Sequence, residues 1–320
     1  MDQTTRAGAK AWPLAPAARA GPVNRQRPRS RRLAPWLLVA PTLLVMLATS
    51  VFPLAYSLVV SFTKYQLARE MGWEFAGLKN YRDALQDQRF LASAVQTTQI
   101  ILPALVTAFI LGFALALVLN RPFRGRGLFV SLLAVPIMVA PTAGAMSFAL
   151  MLTPKYGAVN DLLSILVGQR LLIDWLGSPA LAKLSVAVVQ VWRWAPFYML
   201  ILLAGLQAIP DELYEAGRID GASSLQLFGF ITLPLLRWPA LVGLLIGFID
   251  LVKIFDTVYI MTAGGPGAST ETLTFYTYHT GVRFFHVGYG AALSFYVLGM
   301  VLVLCIVLAR ACYRREEGVV

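Results

Sequence analysis

"EAGRIDGASSLQLFGFITLPLL", residues Glu215–Leu236, places three charges, three glycines and a pair of serines inside a chain that is 58% hydrophobic. Pro210, Asp211 and Glu212 mark a helix start just upstream, because proline suits a first turn and two acids suit the positive end of the helix dipole. From there Leu213, Ala216, Gly217 and Asp220 fall on one side, while Glu212, Glu215 and Arg218 point another way. Glu215 and Arg218 stand three apart, close enough to pair. Gly221 supplies the left-handed position that ends the helix. Ser223 and Gln226 have the spacing of a capping box, and Leu225, Phe228 and Ile231 follow at helical spacing. Pro234 and Pro239 mark entry into the next apolar run. The expectation is two short, rigid helices joined to a membrane span.

A membrane is needed because the rest of the chain cannot cover a soluble surface. Only 13% of the 320 residues are charged, and the mean hydropathy is +0.67. A span takes about 20 mostly apolar residues to cross roughly 30 Å of hydrocarbon. Six such runs lie near Pro35–Phe62, Ala92–Leu119, Gly127–Leu152, Leu184–Leu206, Trp238–Val258 and Tyr289–Ala311. The fold class is therefore an all-α polytopic membrane protein of six spans. Residues 1–33 form a Pro/Ala/Gly-rich basic tail expected to be disordered, residues 34–312 the membrane domain with its polar loop at 207–236, and residues 313–320 a short C-terminal tail.

The net charge of +11 follows topology, which excludes a nucleic-acid partner. With the N-terminus inside, sixteen Lys/Arg lie on the inner side, among them Arg6, Arg25, Arg32, Arg121, Arg124, Arg218 and Arg237, against nine outside. The inner loops are also the shorter ones, so both termini and the Glu215 stretch are expected to be cytoplasmic; the basic tail reads first as this topology signal, with anionic lipid contact a minor role. On the outer side, Phe75–Ala94 and Gly157–Pro179 carry apolar residues at helical spacing among charges, as interfacial helices do, with Trp175 as an anchor.

Enzyme chemistry is not encoded. His279 and His286 have no thiols or clustered carboxylates around them, so no metal or catalytic site forms on them. Cys305 and Cys312 lie seven apart on one helix and do not suit a disulfide. "GGPGAST", residues 264–270, lacks the G-K-[ST] ending of a phosphate loop. Charges inside spans are costly, and so mark candidate substrate-path residues. Asp250, Lys253 and Asp256 recur every three residues along one face of the fifth span. In the fourth, Trp192, Arg193, Trp194 and Tyr198 combine aromatic faces with a polar group, a combination that suits sugar rings.

The Glu215–Leu236 stretch resembles the EAA motif of binding-protein-dependent ABC importer permeases: Glu215, Ala216, Asp220, Gly221, Ala222, Leu233 and Pro234 match, and Gly217 stands where the family usually has alanine. "YIMTAGGPGASTETLTFYTY" (259–278), "FAGLKNY" (75–81) and "VGYGAALS" (287–294) are similar to the carbohydrate branch. The resemblance, from about residue 34 to 311, implies a type I importer permease fold in which Glu215, Ala216, Gly217, Asp220, Gly221 and Ala222 form a cytoplasmic coupling helix. The side bearing Ala216, Gly217 and Asp220 is expected to meet an ATPase. It further implies a second homologous permease, two ATPase subunits holding ATP and magnesium, an external binding protein, and a sugar or polyol as cargo, with no cofactor on this chain. An ion-coupled secondary transporter is the alternative. It predicts inverted repeats and paired helix breaks at mid-membrane, neither of which is evident here.

Overall fold

The computed structural model describes residues 29–67 and 74–313, and the elements in these ranges are helical. It divides into two units, residues 1–54 and 55–320. The first contains α1 (Arg29–Met46), a π-helical turn at Leu47–Val51 and the start of α2 (Phe52–Ser61). α1 begins within the stretch assigned to the tail; residues 1–28 and 314–320 lie outside the described residues.

The second unit continues with α3 (Lys79–Gln86), α4 (Gln88–Leu119), α5 (Arg126–Met138), α6 (Pro141–Met151), α7 (Ala158–Val167) and α8 (Pro179–Gln207). Then come α9 (Asp211–Ile219), α10 (Ser224–Leu227), a π turn at Phe228–Thr232, α11 (Leu233–Val252), α12 (Asp256–Met261), α13 (Leu273–Tyr278), a π turn at His279–Arg283 and α14 (Val287–Tyr313). Five helices are long and apolar enough to span a membrane, and the bent pair α5–α6 makes a sixth when counted as one span.

The largest helix contact is between α4 and α8. Ala104, Ala108, Gly112 and Ala116 recur every four residues along α4, and all four are buried. Such a small-residue stripe lets helix backbones approach where lipid offers no hydrophobic drive for association. At Gly112 the approach is complete: a Cβ there would stand 2.6 Å from the Ala195 carbonyl oxygen and 2.6 Å from Tyr198 Cβ. The two helices run parallel, with Lys183 Nζ donating to Gln99 Oε1 at 2.6 Å near their N-terminal ends. Tyr198, Met199, Leu202 and Ile100 fill the core beside this seam.

Local chemistry sets the element ends. Asp87 caps α4, its Oδ1 accepting from the backbone N–H groups of Arg89 and Phe90 at 2.9 and 3.2 Å. Hence the amphipathic segment expected over Phe75–Ala94 is split: α3 stops at Gln86 and the span begins at Gln88. Similarly, α5 and α6 meet at 95°, whereas the Gly127–Leu152 run predicts one straight span. Pro141 lacks an N–H and forces Ala140 into an extended conformation (φ −57°, ψ 134°), so the helix cannot continue through it. α7 does present Leu162, Ile165 and Leu166 outward as an interfacial helix would. Trp175, however, is no free anchor, since its Nε1 donates to the buried Asn160 Oδ1 at 2.9 Å.

Asp87 also accepts hydrogen bonds from the hydroxyls of Tyr276 and Tyr289, so one carboxylate joins α4, α13 and α14. Burial acts to raise its pKa, but the two phenols and the two backbone N–H groups outweigh it and hold the carboxyl below the usual 3.8. Burial and the bond to Asp87 push the Tyr276 phenol up to about 12, so it stays a donor at neutral pH.

Two outcomes follow. Gly112→Leu is expected to abolish the close α4–α8 approach and lower the thermal midpoint of the detergent-solubilised protein, with an overpacking cost of about 1–3 kcal/mol. Because the folded pKa of Asp87 lies below the unfolded one, its stabilisation is full above pH 3.8 and lost as pH falls through the folded value. The deficit of Asp87→Asn in thermal melts should therefore be constant between pH 7 and 5 and shrink only below pH 3.8.

Candidate coupling surface and translocation cavity

The polar stretch at Glu215 forms α9, and its closure is fixed by backbone chemistry. The Gly221 N–H donates to the Arg218 carbonyl at 3.1 Å, and the Ala222 N–H donates to the Gly217 carbonyl at 2.9 Å. This pair of bonds is a Schellman closure, and it needs the left-handed φ of +80° that Gly221 supplies. One residue later the capping box forms, with the Ser223 N–H donating to Gln226 Oε1 at 2.8 Å and the Gln226 N–H to Ser223 Oγ at 3.4 Å. The second helix is not a separate short piece, however. α10, the π turn and α11 make one apolar span, Ser224–Val252, so the cap belongs to the span itself.

Two contacts bind α9 to that span. The Tyr214 and Thr232 hydroxyls lie 2.9 Å apart in a hydrogen bond. Gly217 faces inward, so that a Cβ there would meet Leu227 Cδ2 at 2.5 Å. The side expected to carry Ala216, Gly217 and Asp220 together is therefore divided. Ala216 and Asp220 are exposed, whereas Gly217 is turned into the chain's own packing. The exposed residues of this helix include Glu212, Glu215, Ala216, Asp220 and Ile219, the last 86% exposed, with Leu225 nearby in sequence at 80%. Glu215 and Arg218 form no ion pair; among the described residues those pairs are Lys64–Glu74, Arg89–Glu271 and Arg193–Asp250. Tyr214 and Thr232 escaped the sequence reading, although Tyr214 stands three residues from Gly217 on the same helix and so shares its face. A cleft of about 480 Å³ lies beside α9, lined by Asn120, Arg121, Asp211, Tyr214, Arg218 and Thr232.

The charged candidates do come together, by a different route from the one expected. α11 ends at Val252, and the chain turns through Lys253 and Phe255 before α12 starts at Asp256. Asp250, Lys253 and Asp256 are therefore not three steps along one helix. The turn is stable because the Thr274 and Thr272 hydroxyls donate to the freed carbonyls of Val252 and Ile254 at 3.2 and 3.1 Å. Together with Arg193 and Gln190 of α8 and Thr257 of α12, these three charges line a cavity of about 190 Å³. Arg193 Nη1 reaches Asp250 Oδ2 at 3.5 Å across the α8–α11 boundary, so the neutralisation expected within the fifth span runs between two spans instead. Gln190 Nε2 donates to Thr257 Oγ1 at 2.8 Å.

The aromatic candidates do not reach this cavity. Tyr198 is wholly buried in the α4–α8–α11 core, its hydroxyl pressed over Gly247. Trp194 is buried against Tyr198 and Phe197. Trp192 packs edge-on against Phe148, with ring centroids 5.2 Å apart. Tyr198 and Trp194 spend their apolar areas on helix packing, whereas Trp192 stays half-buried.

The long apolar helices, with a capped polar helix fixed to the Ser224–Val252 span, define a membrane-embedded helical protein. The chain belongs to the binding-protein-dependent transport system inner membrane components, whose family model matches residues 104–315. It is 35% identical to the trehalose/maltose transport system permease protein MalF of Thermococcus litoralis, over 84% of this chain and 89% of that one. It is also 35% identical to the sulfoquinovosyl glycerol transport system permease protein SmoG of Agrobacterium fabrum, over 82% and 85%. The fold matches that of a bacterial ABC transporter involved in import of the acidic polysaccharide alginate, with a TM-score of 0.76 at 20% identity, over 89% of this chain and 96% of that one. Family membership decides for the importer permease over the ion-coupled transporter.

The Gly217 contact is with the flexible tip of Leu227, so Gly217→Ala should cost under about 1 kcal/mol. Gly217→Leu should cost about 1–3 kcal/mol by levering α9 off the span, and melting in detergent compares the two.

Proposed function

We propose that this chain is a translocating subunit of an ATP-driven importer that takes a sugar, polyol or related carbohydrate from an external binding protein. The supporting observation is the rigid attachment of α9 to the fifth span through the Schellman closure, the Ser223 capping box and the Tyr214–Thr232 bond. Such a joint converts a push on α9 into rotation of a span. In this reading Glu215, Ala216, Asp220 and the exposed Ile219 meet a cytoplasmic ATPase, while Gly217, Gly221 and Ala222 hold the helix in place.

The energy comes from outside the chain, from two ATPase subunits that bind ATP and magnesium, and a second homologous permease completes the pathway. Both termini are cytoplasmic in this arrangement, in keeping with the excess of Lys/Arg on that side. The carbohydrate cargo is favoured by the trehalose/maltose permease similarity and by the charged cavity, whose carboxylates, guanidinium and amide suit hydroxyl groups. In that cavity Arg193, Asp250, Lys253 and Asp256 are the candidate cargo contacts.

The double variant Glu215→Ala/Gly221→Val tests the coupling role. A side chain at φ +80° costs roughly 1–2 kcal/mol, enough to disturb the α9 closure without unfolding a six-span bundle. Uptake of radiolabelled sugar in proteoliposomes should be lost and ATP hydrolysis should no longer respond to the binding protein, with membrane insertion intact. Normal uptake by this variant would overturn the assignment.

A further inference from the structure

The segment between α11 and α14 carries a run of buried polar side chains, and the transport reading gives Arg89 and Glu271 no role. Glu271 is only 3% exposed, a costly position for a carboxylate. Its two oxygens accept from Arg89 Nε and Nη2 at 2.8 and 2.9 Å, a bidentate pair linking the first turn of α4 to the turn before α13. A buried ion pair gives little stability over apolar packing, because desolvation offsets the attraction. What a fork-on-carboxylate contact supplies is direction, since both bonds form in only one relative orientation.

That orientation is passed on within two residues. Thr272, next to Glu271, donates to the Ile254 carbonyl, and Ile254 is part of the wall of the charged cavity. Thr97 Oγ1 of α4 accepts from the Leu273 N–H at 2.8 Å, so a second bond from the same helix fixes the same turn. The break at Lys253–Phe255, which aims Lys253 and Asp256 at the cavity, thus depends on where α4 holds Glu271.

We infer that Arg89 and Glu271 are positioning residues: their bidentate pair fixes the Lys253–Asp256 wall of the cavity in register for cargo. This rests on the transport reading above. The test uses the complete transporter with its binding protein in proteoliposomes, with maltose, trehalose and lactose supplied in turn as labelled probes. Glu271→Gln should raise the apparent KM for the best-transported probe about tenfold, the scale of one lost directional contact, with Vmax and assembly retained. Arg89→Lys, which keeps the charge but not the fork, should fall in between, and Arg89→Glu/Glu271→Arg should recover part of the loss.

A second readout needs no sugar. In a Cys305→Ala/Cys312→Ala background, Ile254→Cys should react with a water-soluble maleimide several-fold faster once Glu271→Gln is added. Unchanged KM and unchanged labelling, or a fall in Vmax alone, overturn the inference. If Glu271→Gln fails to assemble, the same two measurements on Arg89→Lys decide. A wild-type complex that moves none of the probes counts against the carbohydrate reading, and the labelling comparison still decides the role of the pair.

Discussion

The close approach of α4 to α8 is the constraint on which the rest of the bundle depends. In a bilayer, apolar side chains gain nothing by leaving lipid for protein, so helices associate where backbones fit together. Ala104, Ala108, Gly112 and Ala116 provide that fit, and Tyr198 fills the space on the other side against Gly243 and Gly247 of α11. With α4, α8 and α11 locked in this order, Arg193 on α8 and Asp250 on α11 face one another, and the charged cavity forms at their edge.

Polar chemistry is concentrated where this packed frame ends. At one end α9 leaves the fourth span and returns into the fifth through a Schellman closure and a capping box, so orphan groups at both helix termini find partners within a short turn. Elsewhere α11 breaks early, and the Thr272 and Thr274 hydroxyls donate to the carbonyls of Ile254 and Val252 at the break. Each device turns a helix end into a fixed joint. One joint leaves an exposed surface on α9 and the other turns charged side chains toward a cavity.

Much of this was legible in the residues. Capping and turn signals are local, so Gly221, Ser223 and Gln226 are legible from a few neighbours, and apolar runs locate the spans but not their ends: the fifth runs Ser224–Val252 rather than Trp238–Val258. The breaks were harder to read. The 95° bend needed weight on Pro141, which a hydropathy run hides, and the end of α11 at Val252 depends on Thr272 and Thr274 about twenty residues downstream. Helical periodicity put Asp250, Lys253 and Asp256 on one face, and it failed because the helix stops between them. Helical spacing groups Gly217 with Ala216 and Asp220, but Leu227 of the following span packs over it.

The sequence by itself determined the membrane class, the spans, the capped polar helix and, through the EAA resemblance, the transport family, because each rests on composition or on short-range backbone chemistry. Only the tertiary structure decided which charges share a cavity, which aromatic rings are core and which face of α9 is free. Those outcomes depend on contacts between segments far apart in the chain, such as Arg89 with Glu271 and Arg193 with Asp250, and no local spacing encodes them.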